Sequence, residues 1–81
     1  GKTVTFVVQM DDEQGLHSDL LHIVAIYKAN ILTIHQSIPI NGKGLLTVSV
    51  DIEDSETDVS AMIQDVEKIE DVSYVKIIAM E

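Results

Sequence analysis

Several residue types that carry chemistry are missing from this chain. It has no cysteine, which excludes disulfides, thiolate catalysis and cysteine-based metal sites, and which is compatible with a reducing compartment. All five basic residues are lysines, so no guanidinium fork is available for phosphorylated or multiply carboxylated substrates. No apolar run reaches the roughly 20 residues of a membrane span, and no basic start precedes an apolar signal segment. The cytoplasm is therefore the expected location.

The residues that are present describe a small acidic domain with an aliphatic core. The 81 residues make one domain, spanning 1–81. A domain this short buries only about 60 to 65% of the surface that its unfolded chain exposes, so dimerisation would help its core. The net charge of -9 repels phosphate backbones and anionic lipid, so neither nucleic acid nor a membrane is expected as a partner. Because the chain begins at Gly1, we interpret it as a domain excised from a longer protein.

A strand and a helix open the predicted order of elements. From 3 to 10, apolar residues alternate with mostly polar ones, a period of two that predicts a strand with one buried face. After an acidic turn at 11–15, apolar residues recur at the spacing of a helix laid on a core, at Leu16, Leu20, Ile23, Val24 and Tyr27. Leu21, Ala25 and Ile26 widen this apolar stripe, so we expect the helix to be covered on more than one side.

A β-hairpin follows the first helix. The period of two returns from Ile31 to Pro39, and Pro39 is expected to end the second strand. One face of this strand is predicted to carry Leu32, Ile34, Gln36 and Ile38, and the other Ile31, Thr33, His35 and Ser37. The turn at 41–44 holds residues that tolerate positive φ, and a third strand with alternating apolar residues follows it at 46–52.

The last third of the chain predicts a second helix and a fourth strand. Ser55 and Asp58 have the separation of a capping box, and an apolar helical face follows at Val59, Met62, Ile63, Val66 and Ile69. The acidic run at 51–58 is interpreted as a solvated linker and a negatively charged helix start, since an EF-hand loop would need glycine where Glu56 stands. In the strand at 72–79, Val75 and Ile77 are expected to face the core.

These elements follow the order βαββαβ. Two βαβ units with right-handed crossovers, joined by a hairpin, produce a four-stranded antiparallel sheet in the order 4-1-3-2 or a close relative of it, with both helices on one face. The predicted fold class is therefore α+β, a ferredoxin-like sandwich. Many unrelated functions occur on this fold, so function has to be argued from particular residues.

The segment around the first helix resembles an ACT domain. In that family the first strand runs into Asp-x-x-Gly, and the next helix ends in a small residue and an Asn-Ile pair at the start of the second strand. The matching residues here are Asp12, Gly15, Ala29, Asn30 and Ile31, and the similarity in element order covers the whole chain. The resemblance implies a regulatory domain that binds a small-molecule effector, an amino acid, and that forms a homodimer or a higher homo-oligomer. No cofactor is expected.

The resemblance also implies where the effector binds. It would lie between two copies of the domain, against the loop of one and the start of the second strand of the other, touching Asp12, Gln14, Gly15, Leu16, His17, Asn30 and Ile31. Physical chemistry supports the same location. Gly15 permits close approach of the backbone, the N–H groups at the start of the helix suit a carboxylate, and Asp12 suits an ammonium group.

Each of these residues also has a purely structural interpretation. Asp12 could serve only as a helix cap, and Gly15 only as a turn residue. Asn30 is open between a ligand contact across the interface and a left-handed residue that ends the helix. His17 stands where ACT domains usually carry leucine, and is open between a ligand contact and an exposed imidazole.

No metal site or catalytic centre is predicted. His17 and His22 are five residues apart, whereas a zinc pair on a helix usually needs a separation of four. His22 and His35 are assigned to the surface or to an interface. The sequence contains no ordered Ser-His-Asp set, no phosphate-cradling glycine loop and no cysteine nucleophile, so an enzyme is the least favoured class.

A narrower similarity concerns residues 29–42, which resemble the hairpin of short bacterial ACT proteins related to chorismate mutase or to phenylalanine biosynthesis. It implies a link to aromatic amino-acid biosynthesis. No mutase activity is expected, because a dianionic transition state requires positioned cations and the chain has no arginine. Phenylalanine-binding ACT domains of prephenate dehydratases carry Gly-Ala-Leu and a later Glu-Ser-Arg-Pro motif. Here the first motif reads Gly15-Leu16-His17 and the second is absent.

The main alternative to an effector-binding domain is a module that only oligomerises, with its pocket empty. Exposed apolar side chains would serve either function, and the candidates are Val7, Leu21, Ile26 and Ile78.

Overall fold

The order of elements agrees with the prediction. The computed structural model describes residues 2–11, 16–37 and 41–81. The elements are β1 Lys2–Met10, α1 Leu16–Ile26, β2 Ala29–Gln36, β3 Gly44–Ile52, α2 Val59–Glu67 and β4 Val72–Met80. The strands form one antiparallel sheet in the order β2-β3-β1-β4. The predicted ferredoxin-like α+β sandwich is therefore confirmed, and so is the predicted strand order.

The core lies between one face of the sheet and the two helices. Alternate residues of β1 and β3 are buried there, namely Val4, Phe6, Val8, Met10, Leu46, Val48, Val50 and Ile52. The helices contribute Leu16, Leu20 and Val24 from α1, and Met62, Ile63 and Val66 from α2. Val75 and Ile77 of β4 pack against this core as predicted. Neither helix in the described part of the chain has the length and apolar character that crossing a membrane requires.

The strand β2 departs from the predicted alternation. A register shift against β3 falls between Ile31 and Thr33, which leaves Leu32 as the extra residue of a β-bulge. Ile31 and Ile34 therefore both pack against the core, while Leu32 is 53% exposed. The predicted assignment of faces is wrong because a strict period of two does not allow for an extra residue. The strand also ends at Gln36, and Pro39, its predicted end, lies outside the described residues.

The start of α2 differs from the prediction in its capping residue. Asp58 has the extended backbone of an N-cap, and its Oδ1 accepts a hydrogen bond from the N–H of Ala61 at 3.0 Å. Ser55 lies in the preceding turn, where Asp54 Oδ1 accepts from the N–H of Glu56 at 2.9 Å. The predicted capping box that begins at Ser55 is therefore wrong; the N-cap Asp58 is acidic, but no acidic residue lies in the first turn of the helix.

Among the described residues, those with positive φ lie at three chain reversals, namely after α1, in the hairpin, and between α2 and β4, where Asp71 has φ 75°. Lys28, at φ 59°, ends α1, whereas Asn30 is already part of β2. The interpretation of Asn30 as the left-handed residue that ends the helix is therefore wrong. Asn41 at φ 55° and Gly42 at φ 76° form the hairpin turn in the conformation that the sequence predicts.

The outer side of α1 is exposed in the single chain. Leu21 is 54% and Ile26 is 60% exposed, and Ala25 between them is exposed as well. Within the described residues of one copy, the expectation that α1 is covered on more than one side is wrong. Leu32 in β2, the strand that α1 packs against, is exposed as well.

Candidate functional site

Those predicted ligand-binding residues that the structure describes fall at opposite ends of the sheet. The strand β1 begins at Lys2, opposite Ile52, and ends at Met10, opposite Gly44. We call the Met10 end the loop end and the Lys2 end the far end. The nine residues of β1, at about 3.3 Å each, put these ends about 26 Å apart. In the sequence the segment 12–15 joins β1 to α1, while Asn30 is the second residue of β2 at the far end, directly after Ala29, which pairs with Ile52.

At the loop end, two of the predicted residues are described and they differ in exposure. Leu16, the first residue of α1, is 3% exposed and belongs to the core. His17 follows it and is exposed. Asp12, Gln14 and Gly15 lie outside the described residues. Leu16 is therefore occupied by packing in the core, and His17 is accessible to a ligand.

At the far end, Asn30 and Ile31 lie on opposite faces of the sheet. Asn30 is exposed and pairs with Asp51 of β3, on the face that the helices leave open. Ile31 pairs with Val50 and is half-buried against the core. Of the two residues, Asn30 is the one that offers polar atoms to a ligand.

A cluster of side chains that the sequence did not reveal holds Asp11, the last described residue before the segment 12–15. The Asp11 carboxylate accepts hydrogen bonds from the ammonium of Lys43 and from the hydroxyl of Ser73, the latter at 3.4 Å. Its backbone N–H donates to the carbonyl of Asp71 at 2.9 Å. The hydrogen bond from Lys43 lowers the pKa of Asp11 from its ordinary value. The end of β1, the hairpin and the start of β4 are thereby joined.

The pairing of β1 with β3 and with β4 explains why these side chains meet. Met10 lies opposite Gly44 and also opposite Val72, so the residues beside these positions meet at the loop end. The predicted strand order puts these elements side by side, but the register that brings Asp11, Lys43 and Ser73 together comes only from the structure.

A second set of polar contacts joins the two helices. The Tyr27 hydroxyl donates to Asp65 Oδ2 at 2.6 Å, and the Thr57 hydroxyl donates to the carbonyl of Tyr27 at 3.3 Å. The hydrogen bond to Asp65 raises the pKa of Tyr27 from its ordinary value, because ionisation would break the bond and set two negative charges side by side. These contacts hold the chain just before β2, and therefore just before Asn30.

The described residues also line two cavities. The larger, of about 310 Å³, lies at the far end and is lined by Lys2, Ile52, Glu53, Ser55, Thr57 and Val59. The smaller, of about 260 Å³, lies between the helices and is lined by Asp19, His22, Ile23, Asp65, Lys68, Ile69 and Glu70. Across residues 2–11, 16–37 and 41–81, no three His, Cys, Asp or Glu side chains are grouped so that they could hold a metal ion.

Comparison with known sequences identifies relatives along the whole chain. No model of a known protein family matches it. A protein of Lachnoclostridium phytofermentans, named "UPF0735 ACT domain-containing protein", is 43% identical over 81 residues, which are 100% of this chain and 56% of the relative. The chain thus spans a little over half the length of the curated relatives that it matches first. The names of these homologues do not support the narrower similarity to chorismate-mutase-related proteins.

Comparison with solved structures identifies the same fold in ACT domains. The ACT domain of GTP pyrophosphokinase from Chlorobium tepidum has a TM-score of 0.72 at 13% identity, with 94% of this chain and 96% of that domain covered. The regulatory subunit of aspartate kinase from Thermus thermophilus, in a ligand-free form, has a TM-score of 0.64 at 11% identity, with 99% of this chain and 50% of that chain covered. At such identities the likeness establishes the fold and leaves the function to be argued.

Proposed function

We propose that this chain is an ACT domain that acts as a regulatory module and binds a small-molecule effector, in the first place an amino acid. The observation that carries the proposal is 43% identity, along the whole chain, to a protein named for its ACT domain. The fold supports it. We propose further that residues 1–81 are one domain of a longer cytoplasmic protein, which the span of about half of the relatives and the lack of cysteine support.

The separation of the predicted site residues supports a site between two copies. In one copy Met10, which ends β1 shortly before the segment 12–15, and Asn30 lie at opposite ends of the sheet, too far apart for one amino acid to touch both. In the described sheet β2 is an edge strand, so its outer backbone groups are available to a second copy. If two β2 strands pair antiparallel about a two-fold axis, Asn30 of one copy comes to the loop end of the other.

Exposed apolar side chains support the same pairing. Leu21 and Ile26 are exposed on α1, the helix that packs against β2, and Leu32 is exposed in the β2 bulge. Burying a large aliphatic side chain completely contributes about 1.5 to 3 kcal/mol. The net charge of -9 on each copy opposes the association, so the homodimer is expected to strengthen as salt screens that repulsion.

The proposed site divides the effector's groups between the two copies. Asp12 accepts the ammonium group, and the backbone at Gly15 and the start of α1 receives the carboxylate. The remaining polar contacts come from Gln14 and His17 of the same copy and from Asn30 of the second copy. Leu16 and Ile31 support the walls of the site from the core side. An effector that binds one packing of the two copies more tightly than another changes their relative populations.

A thermal-denaturation screen tests the proposal. The chain is screened against the twenty amino acids and against acids of aromatic amino-acid biosynthesis, with the Asp12→Ala variant beside it. A ligand at 100 times its Kd stabilises the fold by about 2.7 kcal/mol, which corresponds to a rise in Tm of roughly 10 °C or more in a domain of this size. The rise is expected to be lost in Asp12→Ala.

The other outcomes of the screen are equally informative. An undiminished rise in Asp12→Ala would contradict the site. The absence of any rise would favour the second candidate, a module that only oligomerises, which the exposed Leu21 and Ile26 on α1 favour.

A further inference from the structure

Two charged side chains at the far end of the sheet face the same cavity without a partner. Lys2 begins β1 and Glu53 directly follows β3, and the pairing of Lys2 with Ile52 brings them to the same cavity. Neither side chain forms an ion pair or a hydrogen bond with another described residue, and the two do not pair with each other. The same holds for the hydroxyl of Ser55, which lines the cavity as well.

The other lining residues define the size and the floor of this cavity. Its volume of about 310 Å³ falls at the lower end of the range of small-molecule sites, which runs from about 300 to 1,000 Å³. Ile52 is buried and Val59 is half-buried, so they form an apolar floor. The Thr57 hydroxyl is already engaged with the carbonyl of Tyr27 and is not available as a donor.

This combination of groups disfavours a ligand whose charges are all of the same sign. A purely anionic ligand would be attracted by Lys2 but repelled by Glu53. A purely cationic ligand would be attracted by Glu53 but repelled by Lys2. A zwitterion can pair with both side chains through charge-assisted hydrogen bonds. The apolar floor then accepts an aliphatic group, whose burial adds a favourable contribution.

We propose that this cavity is a second small-molecule site, which binds an aliphatic amino acid as its zwitterion. Lys2 holds the carboxylate, Glu53 holds the ammonium group, Ser55 donates or accepts one further hydrogen bond, and the side chain lies on Ile52 and Val59. The cavity is formed within one copy, at the opposite end of the sheet from the segment 12–15. It therefore does not depend on the site between two copies.

L-leucine is the probe that tests this site, with binding followed by amide chemical shifts in NMR. Leucine is expected to shift the amides of 52–59 in a saturable manner. Two analogues test the zwitterion, because 4-methylpentanoate lacks the ammonium group and 3-methylbutylamine lacks the carboxylate. Each is expected to bind less tightly than leucine. Equal binding by either analogue, or no shift at 52–59 up to the solubility of leucine, would overturn the proposal.

Paired variants separate the cavity from general effects of charge. Glu53→Gln and Lys2→Gln are each expected to weaken leucine binding about fivefold, the equivalent of one exposed charge contact. Glu56→Gln and Lys28→Gln are the matched controls, since each makes the same change of charge outside the cavity and should leave the Kd unchanged. Equal weakening in a variant and its control would overturn the assignment.

The Asp12→Ala variant distinguishes this site from the one between two copies. Leucine shifts at 52–59 that persist in Asp12→Ala support a separate cavity site, whatever the thermal screen finds. Shifts that are centred on 11–17 and 30–31 and are lost in Asp12→Ala would assign leucine to the other site and overturn this one.

Discussion

The loop end and the far end of the sheet share one core but are tied by different kinds of contact. At the loop end, the exposed side chains of Lys43 and Asp11 pair, with Ser73 close by. At the far end, the links run through partly buried groups, from Tyr27 to Asp65 and from Thr57 to the carbonyl of Tyr27. Water screens an exposed ion pair strongly, whereas a partly buried hydrogen bond keeps more of its strength.

This difference indicates which end can respond to a ligand. Contacts that contribute little to the stability of the fold can be exchanged for contacts to a ligand at a small cost in free energy. The segment 12–15 starts from such contacts at Asp11 and leads into Leu16, which is buried. At the far end, β2 starts two residues after Tyr27, whose carbonyl accepts a hydrogen bond from Thr57. The polar contacts described at the loop end are therefore the weaker of the two sets.

The largest expected change in stability concerns Leu16, which is an exception to the weak contacts of the loop end. Although Leu16 lies at the loop end, its side chain is buried in the core. Leu16→Ala should lower the free energy of unfolding by about 2 to 5 kcal/mol, measured by urea denaturation. The neighbouring His17→Ala, at an exposed position, should change it by less than about 0.5 kcal/mol. Similar values for the two variants would mean that Leu16 serves the loop and not the core.

The second-largest expected change in stability concerns Asp58, the N-cap of α2 at the far end. Asp58→Ala should cost about 1 kcal/mol, because the N–H of Ala61 loses its acceptor at the start of the helix. Ser55→Ala is the control, since the sequence pattern favours Ser55 as the cap and the structure does not. Thermal unfolding of both variants checks the ranking. A larger loss of stability in Ser55→Ala than in Asp58→Ala would support the capping box that the sequence predicts and contradict Asp58 as the cap.

The link between the helices predicts a smaller effect that depends on pH. Tyr27→Phe should lower the stability, whereas Tyr74→Phe should not, because the Tyr74 hydroxyl bonds to no other described residue. The pKa of Tyr27 is raised in the fold. The bond therefore stabilises fully below the unfolded value of 10.0 and is lost as pH rises through the folded pKa. A difference between Tyr27→Phe and wild type that does not shrink at high pH would contradict this assignment.

The smallest effect concerns the exposed pair at the loop end. Lys43→Gln should raise the pKa of Asp11 toward its ordinary value, as measured by carboxyl NMR titration, while Lys28→Gln should leave it unchanged. Because the pKa of Asp11 is lowered in the fold, the pair stabilises above the unfolded pKa and is lost as pH falls through the folded one. An unchanged titration in Lys43→Gln would show that the pair does not form in solution.

Hydrophobic periodicity was enough to predict most of the fold. The alternation in β1 and β3 and the helical spacing in α1 and α2 each determine which residues are buried, so the element order and the core could be derived without the structure. The bulge at Leu32 could not, because an extra residue leaves a pattern of apolar residues that a regular strand also produces. The cap at Asp58 was missed because Ser55 offers the same hydrogen-bonding chemistry three residues earlier.

The candidate sites were harder to predict because they depend on what the strands bring together. The pair of Asp11 with Lys43 and the cavity between Lys2 and Glu53 join residues that are far apart in the sequence. Only the register of β1 against β3 makes them neighbours. The similarity to ACT domains supplied Asp12 and Asn30 instead, and of these two the structure describes Asn30, at the far end of the sheet.

The most direct test of a site between two copies is complementation between two inactive variants. With an effector from the thermal screen, Asp12→Ala and Asn30→Ala should each fail to bind, because each breaks both sites of its own dimer. An equal mixture, unfolded and refolded together, should regain about a quarter of the wild-type sites, since half of the dimers are mixed and each has one intact site. Titration calorimetry measures that number. A mixture that binds no effector would contradict the account, because both residues would then have to belong to the same copy.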